Sequence, residues 1–128
     1  MKVLLDTAPL LWLASAPDRL SDAALRLILD ADNKLFLSAV SAWEIALKVS
    51  LGKLALPDRP DRFIPEIREF YAMESLSLDE ESTLQIDRLP KIHRDPFDRM
   101  LLCQAIVHGL AIVTPDRVLH EYPVRTIW

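Results

Sequence analysis

Gly109-Leu110-Ala111-Ile112-Val113-Thr114-Pro115-Asp116 decides how the rest of this chain is read. Leu110 to Thr114 carries no polar alternation, so it fits a strand buried on both faces. Gly109 stops the preceding helical pattern, and Pro115 closes the run. Working outward, Lys2-Val3-Leu4-Leu5 before Asp6 and Leu35-Phe36-Leu37-Ser38 are short runs of the same kind. Helical patterns lie between them. They cover Ala8 to Ser15, Ser21 to Ala31, about Ser41 to Leu51 (stopping at Gly52), and Arg62 to Met73, entered through Pro60 or Pro65. In the second of these Ser21 is the N-cap, and Ala24, Leu25, Ile28 and Leu29 recur at helical spacing. Asp79 is placed to cap a helix running toward Arg88, and the last helix starts near Pro96 and ends at Gly109. Leu76-Ser77-Leu78 and Val124 to Trp128 complete the strands, the latter as an edge. Alternation of this kind predicts an α/β fold: one three-layer α/β/α domain over residues 1–128 with a short central parallel sheet.

Composition supports one folded domain. The 128 residues are 51% hydrophobic and hold two glycines, which excludes disordered, collagen-like and Gly-rich linker sequence. No apolar run reaches the ~18 residues of a membrane span. Asp6 comes too early for a signal-peptide core, and Cys103 is the only cysteine. A reduced, cytoplasmic setting without a disulfide or a cysteine zinc cluster is therefore expected. Nineteen acids against fifteen bases give a net charge of −4, which argues against nucleic-acid binding through a broad basic face. The acids must then be placed individually.

Asp6 ends the first strand and Asp116 follows the Leu110–Thr114 strand by two residues. Ligands of open parallel sheets bind beyond the carboxyl ends of strands, so both acids point to one edge. Glu44 and Asp98 lie in the first turns of helices that start from that same edge. Asp98 also borders the Leu101, Leu102 and Ala105 stripe, where a carboxylate is costly unless paired. Two readings stand for it: favouring its helix dipole, at ~0.3–1 kcal/mol, or joining a site. Four converging carboxylates would repel and raise one another's pKa values, which a divalent cation relieves. Oxygen donors without Cys or suitably spaced His favour Mg²⁺ or Mn²⁺ over Zn²⁺. The constellation points to metal-dependent phosphodiester hydrolysis. Without these four acids the remaining charges balance, so the acid excess is largely the candidate site.

At this point the chain resembles the PIN-domain ribonucleases of the VapC type, toxins of bacterial type II toxin–antitoxin pairs. The resemblance rests on Leu4-Leu5-Asp6-Thr7, Ser38-Ala39-Val40-Ser41-Ala42-Trp43-Glu44-Ile45-Ala46, His93-Arg94-Asp95-Pro96-Phe97-Asp98-Arg99-Met100-Leu101, Leu110 to Asp116 and the ending Tyr122 to Trp128. It implies a PIN-like fold in which Asp6, Glu44, Asp98 and Asp116 are the catalytic, metal-holding quartet, with Thr7 and Thr114 in support. It further implies an endoribonuclease that hydrolyses tRNA or rRNA with Mg²⁺ or Mn²⁺, forms a homodimer, has no membrane partner and is restrained by an antitoxin protein. Asp95 is either a fifth acid or, standing before Pro96, the helix N-cap.

Among the remaining residues, Arg94, Arg99 and Arg117 flank the acidic blocks, as RNA phosphate contacts or as charge balance. Lys48 stands four residues after Glu44, at ordinary ion-pair spacing, or reaches substrate. The apolar neighbours of Trp12 and Trp43 favour core or interface packing over base stacking, and Trp128 is expected to pack under an edge strand. His108 suits a helix C-terminus. An Asp-x-Asp phosphatase is excluded, because Thr7 and Ala8 follow Asp6; a receiver domain lacks its paired acids and late lysine. A non-catalytic protein-binding module of the same fold is the alternative.

Overall fold

Strand residues point alternately to opposite faces, so a strand buried on both sides must supply two cores. In the computed structural model, which describes residues 1–128, it does. Val3 and Leu5 of β1 (Lys2–Leu5), Leu35 and Leu37 of β2 (Lys34–Ser38) and Val113 of β4 (Ala111–Val113) face one core. Leu4, Phe36 and Ile112, one residue out of phase, face the other. The first core is covered by α1 (Thr7–Ser15), α2 (Asp22–Leu29) and α4 (Pro60–Phe70), through Leu10, Leu13, Ile28, Phe63 and Ile67. The second is covered by α6 (Pro96–His108), through Leu101, Leu102 and Ala105. The helix α3 (Ala39–Ser50) gives Ile45 to the first core and Val40 to the second. The expected three layers are present.

The sheet has five parallel strands in the order β3-β2-β1-β4-β5, with β3 at Glu74–Leu76 and β5 at Thr126–Ile127. The chain steps outward from β1 through β2 to β3, then returns to place β4 on the other side of β1. The reversal beside β1 is the topological switch point, and its strands end at Asp6 and Thr114.

Several local expectations shift. The third strand lies two residues earlier than Leu76–Leu78, with Phe36 opposite Glu74; the Ser77 carbonyl instead accepts from Gln104 (3.1 Å). Pro60, not Pro65, opens α4, and Pro65 sits inside it. The Asp79 helix is short, α5 at Glu80–Leu84 followed by a 3₁₀ turn at Gln85–Asp87. Asp79 makes no cap bond to backbone; its carboxylate accepts from the Ser82 hydroxyl (2.6 Å) and pairs with His108 (3.0 Å). Those two partners lower Asp79 to about 2. Only Thr126–Ile127 of the expected last strand pairs, and Trp128 beyond it meets Trp12 edge-on at 5.9 Å.

Trp43 is not a core residue: it is 55% exposed and meets Phe97 edge-on at 4.8 Å. The buried face of α3 is Val40, Ser41, Glu44 and Ile45, and Trp43 falls outside that stripe.

Candidate active site

Asp6 leaves β1 and becomes the N-cap of α1, its Oδ1 accepting from the Thr7 N–H at 2.8 Å. Its backbone N–H donates to the Val113 carbonyl (3.1 Å), which fixes it against β4. Its Oδ2 accepts the Thr114 hydroxyl at 2.8 Å. Thr114 in turn accepts the Asp116 N–H (3.0 Å), and Asp116 Oδ1 accepts the Val118 N–H (2.9 Å). One chain of hydrogen bonds thus links acids from opposite ends of the sequence. Thr7 donates to the Ser41 hydroxyl (3.0 Å), tying α1 to the first turn of α3.

That tie aims the next turn of α3. Glu44 is buried on it, with 6% exposure. Its Oε2 accepts from Lys48, the expected four-residue pair. Its Oε1 has no hydrogen-bond partner, the one such buried side-chain atom in the protein. A buried unpartnered acceptor costs ~1–3 kcal/mol, and more when it carries charge. The Glu44 hydrogen bond is also what chiefly holds Lys48 above its ordinary range, with Asp95 and Asp98 adding to the rise.

Asp98 enters from α6. The cap of that helix is Asp95, whose Oδ1 accepts from the N–H groups of Phe97 and Asp98 at 2.9 and 3.0 Å. Asp98 is thereby held in the first turn, its side chain 18% exposed and its Oδ2 3.2 Å from His93 Nε2. Burial and then the Asp6 charge push Asp98 up to about 7, against the pull of the His93 hydrogen bond. Asp6 is likewise raised, first by burial, with Glu44 and Asp116 adding charge repulsion and the two threonine hydrogen bonds opposing it. No three acidic, histidine or cysteine side chains close tightly around one point. The acids share a field rather than a cage.

The arginines divide. Arg94 and Arg117 are exposed. Arg99 is turned inward: its Nη1 donates to the carbonyls of Pro90 (2.8 Å) and His93 (3.2 Å) and to the Tyr122 hydroxyl (3.1 Å). These acceptors compete with the phosphate contact expected of it. With Lys91, Ile92, His93 and Arg94, it lines a cavity of about 580 Å³. Sequence reasoning misses Ser41, Tyr122 and Gln104, and gives His93 no role. Gln104 alone leaves a signal, a fully buried amide in the apolar stretch Leu101–Ala105; it accepts the Ser38 hydroxyl and holds the end of β2.

A parallel sheet with acids gathered at its switch point defines a class of fold with an anionic centre, and the chain belongs to the PIN domain family, whose pattern matches residues 3–124. It is similar to Ribonuclease VapC22 of Mycobacterium tuberculosis (strain ATCC 25618 / H37Rv), 32% identical over 131 residues that cover 98% of each chain. Among solved structures, VapBC2 from Rickettsia felis, bound to a promoter DNA fragment, matches at a TM-score of 0.74 and 14% identity. That match covers 99% of this chain and 98% of that one. FitAcB from Neisseria gonorrhoeae matches at 0.65 and 22% identity, covering 98% and 96%. Both likenesses are of fold.

Proposed function

We propose that this chain is a metal-dependent endoribonuclease, the toxin of a type II toxin–antitoxin pair, which hydrolyses phosphodiester bonds of tRNA or rRNA. The observation that carries this reading is the unpartnered, buried Glu44 Oε1 among carboxylates that burial and mutual repulsion raise. Similarity across nearly the whole length to a protein named a ribonuclease supports the substrate class.

The residues fit a hard divalent cation: every donor is oxygen, and one awaits a partner. Asp6, Glu44, Asp98 and Asp116 would hold Mg²⁺ or Mn²⁺, and Mg²⁺ keeps several waters where protein ligands are few. When bound, such an ion stabilises charge on the phosphate and orients a water for attack. Thr114 and Thr7 hold the Asp6 carboxylate, Asp95 holds the first turn of α6, and Lys48 neutralises Glu44. The likeness of fold to VapBC structures, a family of toxin–antitoxin systems, supports an antitoxin protein as partner. A homodimeric assembly and a cytoplasmic setting complete the reading. No helix is long and apolar enough to cross a membrane.

The test is RNA cleavage by the partner-free protein with Mn²⁺ or Mg²⁺, with the 5′ ends of the products sequenced. Discrete cuts that vanish with EDTA and in Asp6→Asn are expected. Undiminished cutting in EDTA, or by Asp6→Asn, overturns the reading.

Arg94 and Arg117 are free to meet RNA phosphates, while Arg99 Nη1 is held within the fold. In Arg94→Ala and Arg117→Ala, log K for single-stranded RNA should therefore fall with log[salt] less steeply, by roughly 0.7 for each phosphate no longer neutralised. In Arg99→Ala the slope should hold and the melting temperature fall. Salt-dependent binding isotherms beside thermal melts distinguish the two behaviours.

A further inference from the structure

His93 stands between Asp98 and Tyr122, and the hydrogen bonds around it favour one arrangement of protons. A phenol oxygen has one proton to give and two lone pairs to receive. The Tyr122 oxygen receives the His93 backbone N–H at 3.0 Å and a share of Arg99 Nη1, whose two protons face three acceptors, at 3.1 Å. Its own proton therefore goes to His93 Nδ1, 2.7 Å away. Nδ1 is then the acceptor of the neutral ring, and the ring proton sits on Nε2, which faces Asp98 Oδ2 at 3.2 Å. Tyr122 is 4% exposed and packs in the second core, so the phenol is a fixed reference point. Arg99 fastens the same loop through the Pro90 and His93 carbonyls. The segment after β4 thus reaches back 29 positions in sequence to set the tautomer of a histidine that touches a site acid.

We infer that His93, locked by Tyr122 and Arg99, is a positioning residue that holds the Asp98 carboxylate in the orientation needed to bind a divalent cation. This rests on the metal-site reading above. A carboxylate ligand left without its outer hydrogen-bond donor samples other rotamers, and loss of such donors typically costs 10- to 100-fold in metal affinity or activity. Tyr122 and Arg99 act one step further out, by holding the imidazole.

The test is Mn²⁺ titration followed by the electron paramagnetic resonance signal of free Mn²⁺, on wild type, His93→Gln, His93→Asn and Tyr122→Phe. The glutamine amide nitrogen reaches the place of Nε2, whereas the asparagine amide reaches only that of Nδ1. Affinity in His93→Asn should drop ~10-fold or more, in His93→Gln by no more than ~3-fold, and in Tyr122→Phe by an intermediate factor. The loss should appear in kcat, with KM for RNA unchanged. A role limited to loop packing predicts the reverse order, since asparagine better keeps the hydrogen bond to Tyr122. Wild-type affinity in His93→Asn, an inverted Gln/Asn order, or a change in KM alone overturns the inference. If His93→Asn does not fold, Tyr122→Phe carries the test, because its ring still fills the core, and wild-type affinity there is equally fatal. Wild type that binds no Mn²⁺ overturns both this inference and the metal-site reading. Wild type that binds Mn²⁺ and cuts RNA, beside variants of equal affinity, removes the positioning role alone.

Discussion

Asp98→Asn should lower kcat for RNA cleavage on the order of 10³-fold while making the metal-free protein more stable at pH 8. Two opposed demands meet at this carboxylate. The proposed metal-holding role needs it ionised. The fold, without a cation, does not, because burial and the Asp6 charge raise Asp98 from 3.8 to about 7. Its place in the first turn of α6 favours the ionised form by only ~0.3–1 kcal/mol, too little to reverse that rise. The sign follows from proton linkage. A group whose pKa is raised on folding binds more protons folded than unfolded, so its contribution is full below pH 3.8 and lost as pH rises through about 7. Asparagine is a neutral replacement of nearly the same shape, and its carbonyl still accepts from His93 Nε2. The variant should therefore melt above wild type at pH 8 and close to it at pH 4. Each ~1 kcal/mol of relief moves the melting temperature by roughly 4 °C in a chain of this length. Equal cleavage by the variant would remove Asp98 from the site, and a lower melting temperature at pH 8 would show that its charge is compensated without metal.

The same tension explains which parts of the molecule can be read from the sequence. Strand positions are legible because burial on both faces leaves an unbroken apolar run, as at Leu110–Val113, whose placement the fold then requires. Convergence of Asp6 and Asp116 follows from the same reading, since parallel strands end at one edge whatever their order. Asp95 is legible as a cap because Pro96 forbids the helix from starting earlier. What a side chain touches across the fold is not. The Thr7–Ser41 and His93–Tyr122 hydrogen bonds join residues 34 and 29 positions apart and leave no periodicity behind. Arg99 shows the limit most plainly. Beside an acid it reads as a phosphate contact or as charge balance, and neither reading shows that two carbonyls and a phenol hold its Nη1. Of the two packings read for Trp43, core and interface, the core one falls to Ile45, because hydrophobicity marks a helix face only to within a residue.

Adding Mn²⁺ should offset much of the stability that the metal-free protein loses as pH rises. Without metal, Asp98 and Asp6 both lie above their ordinary range, so stability should decline as pH rises above about 4, the Asp98 share of that loss developing up to about 7. A cation held by the ionised acids stabilises only the folded state. At 100 times its dissociation constant it contributes ~2.7 kcal/mol, equivalent to roughly 10 °C in melting temperature here. Because the protonated acids must first lose their protons, affinity increases with pH through about 7, and binding releases protons below it. The stabilisation should thus be small at pH 5 and near its full value at pH 8, so the two melting curves diverge where the metal-free one falls. Glu44→Gln separates this from a general ionic effect. It leaves the helix and its burial in place but removes the charge beside the unpartnered Oε1, and the Mn²⁺-dependent rise should shrink several-fold. Melting curves with EDTA and with Mn²⁺ at pH 5 and pH 8 decide the matter. Equal stabilisation at both pH values, or an undiminished rise in Glu44→Gln, would place the ion elsewhere on the surface.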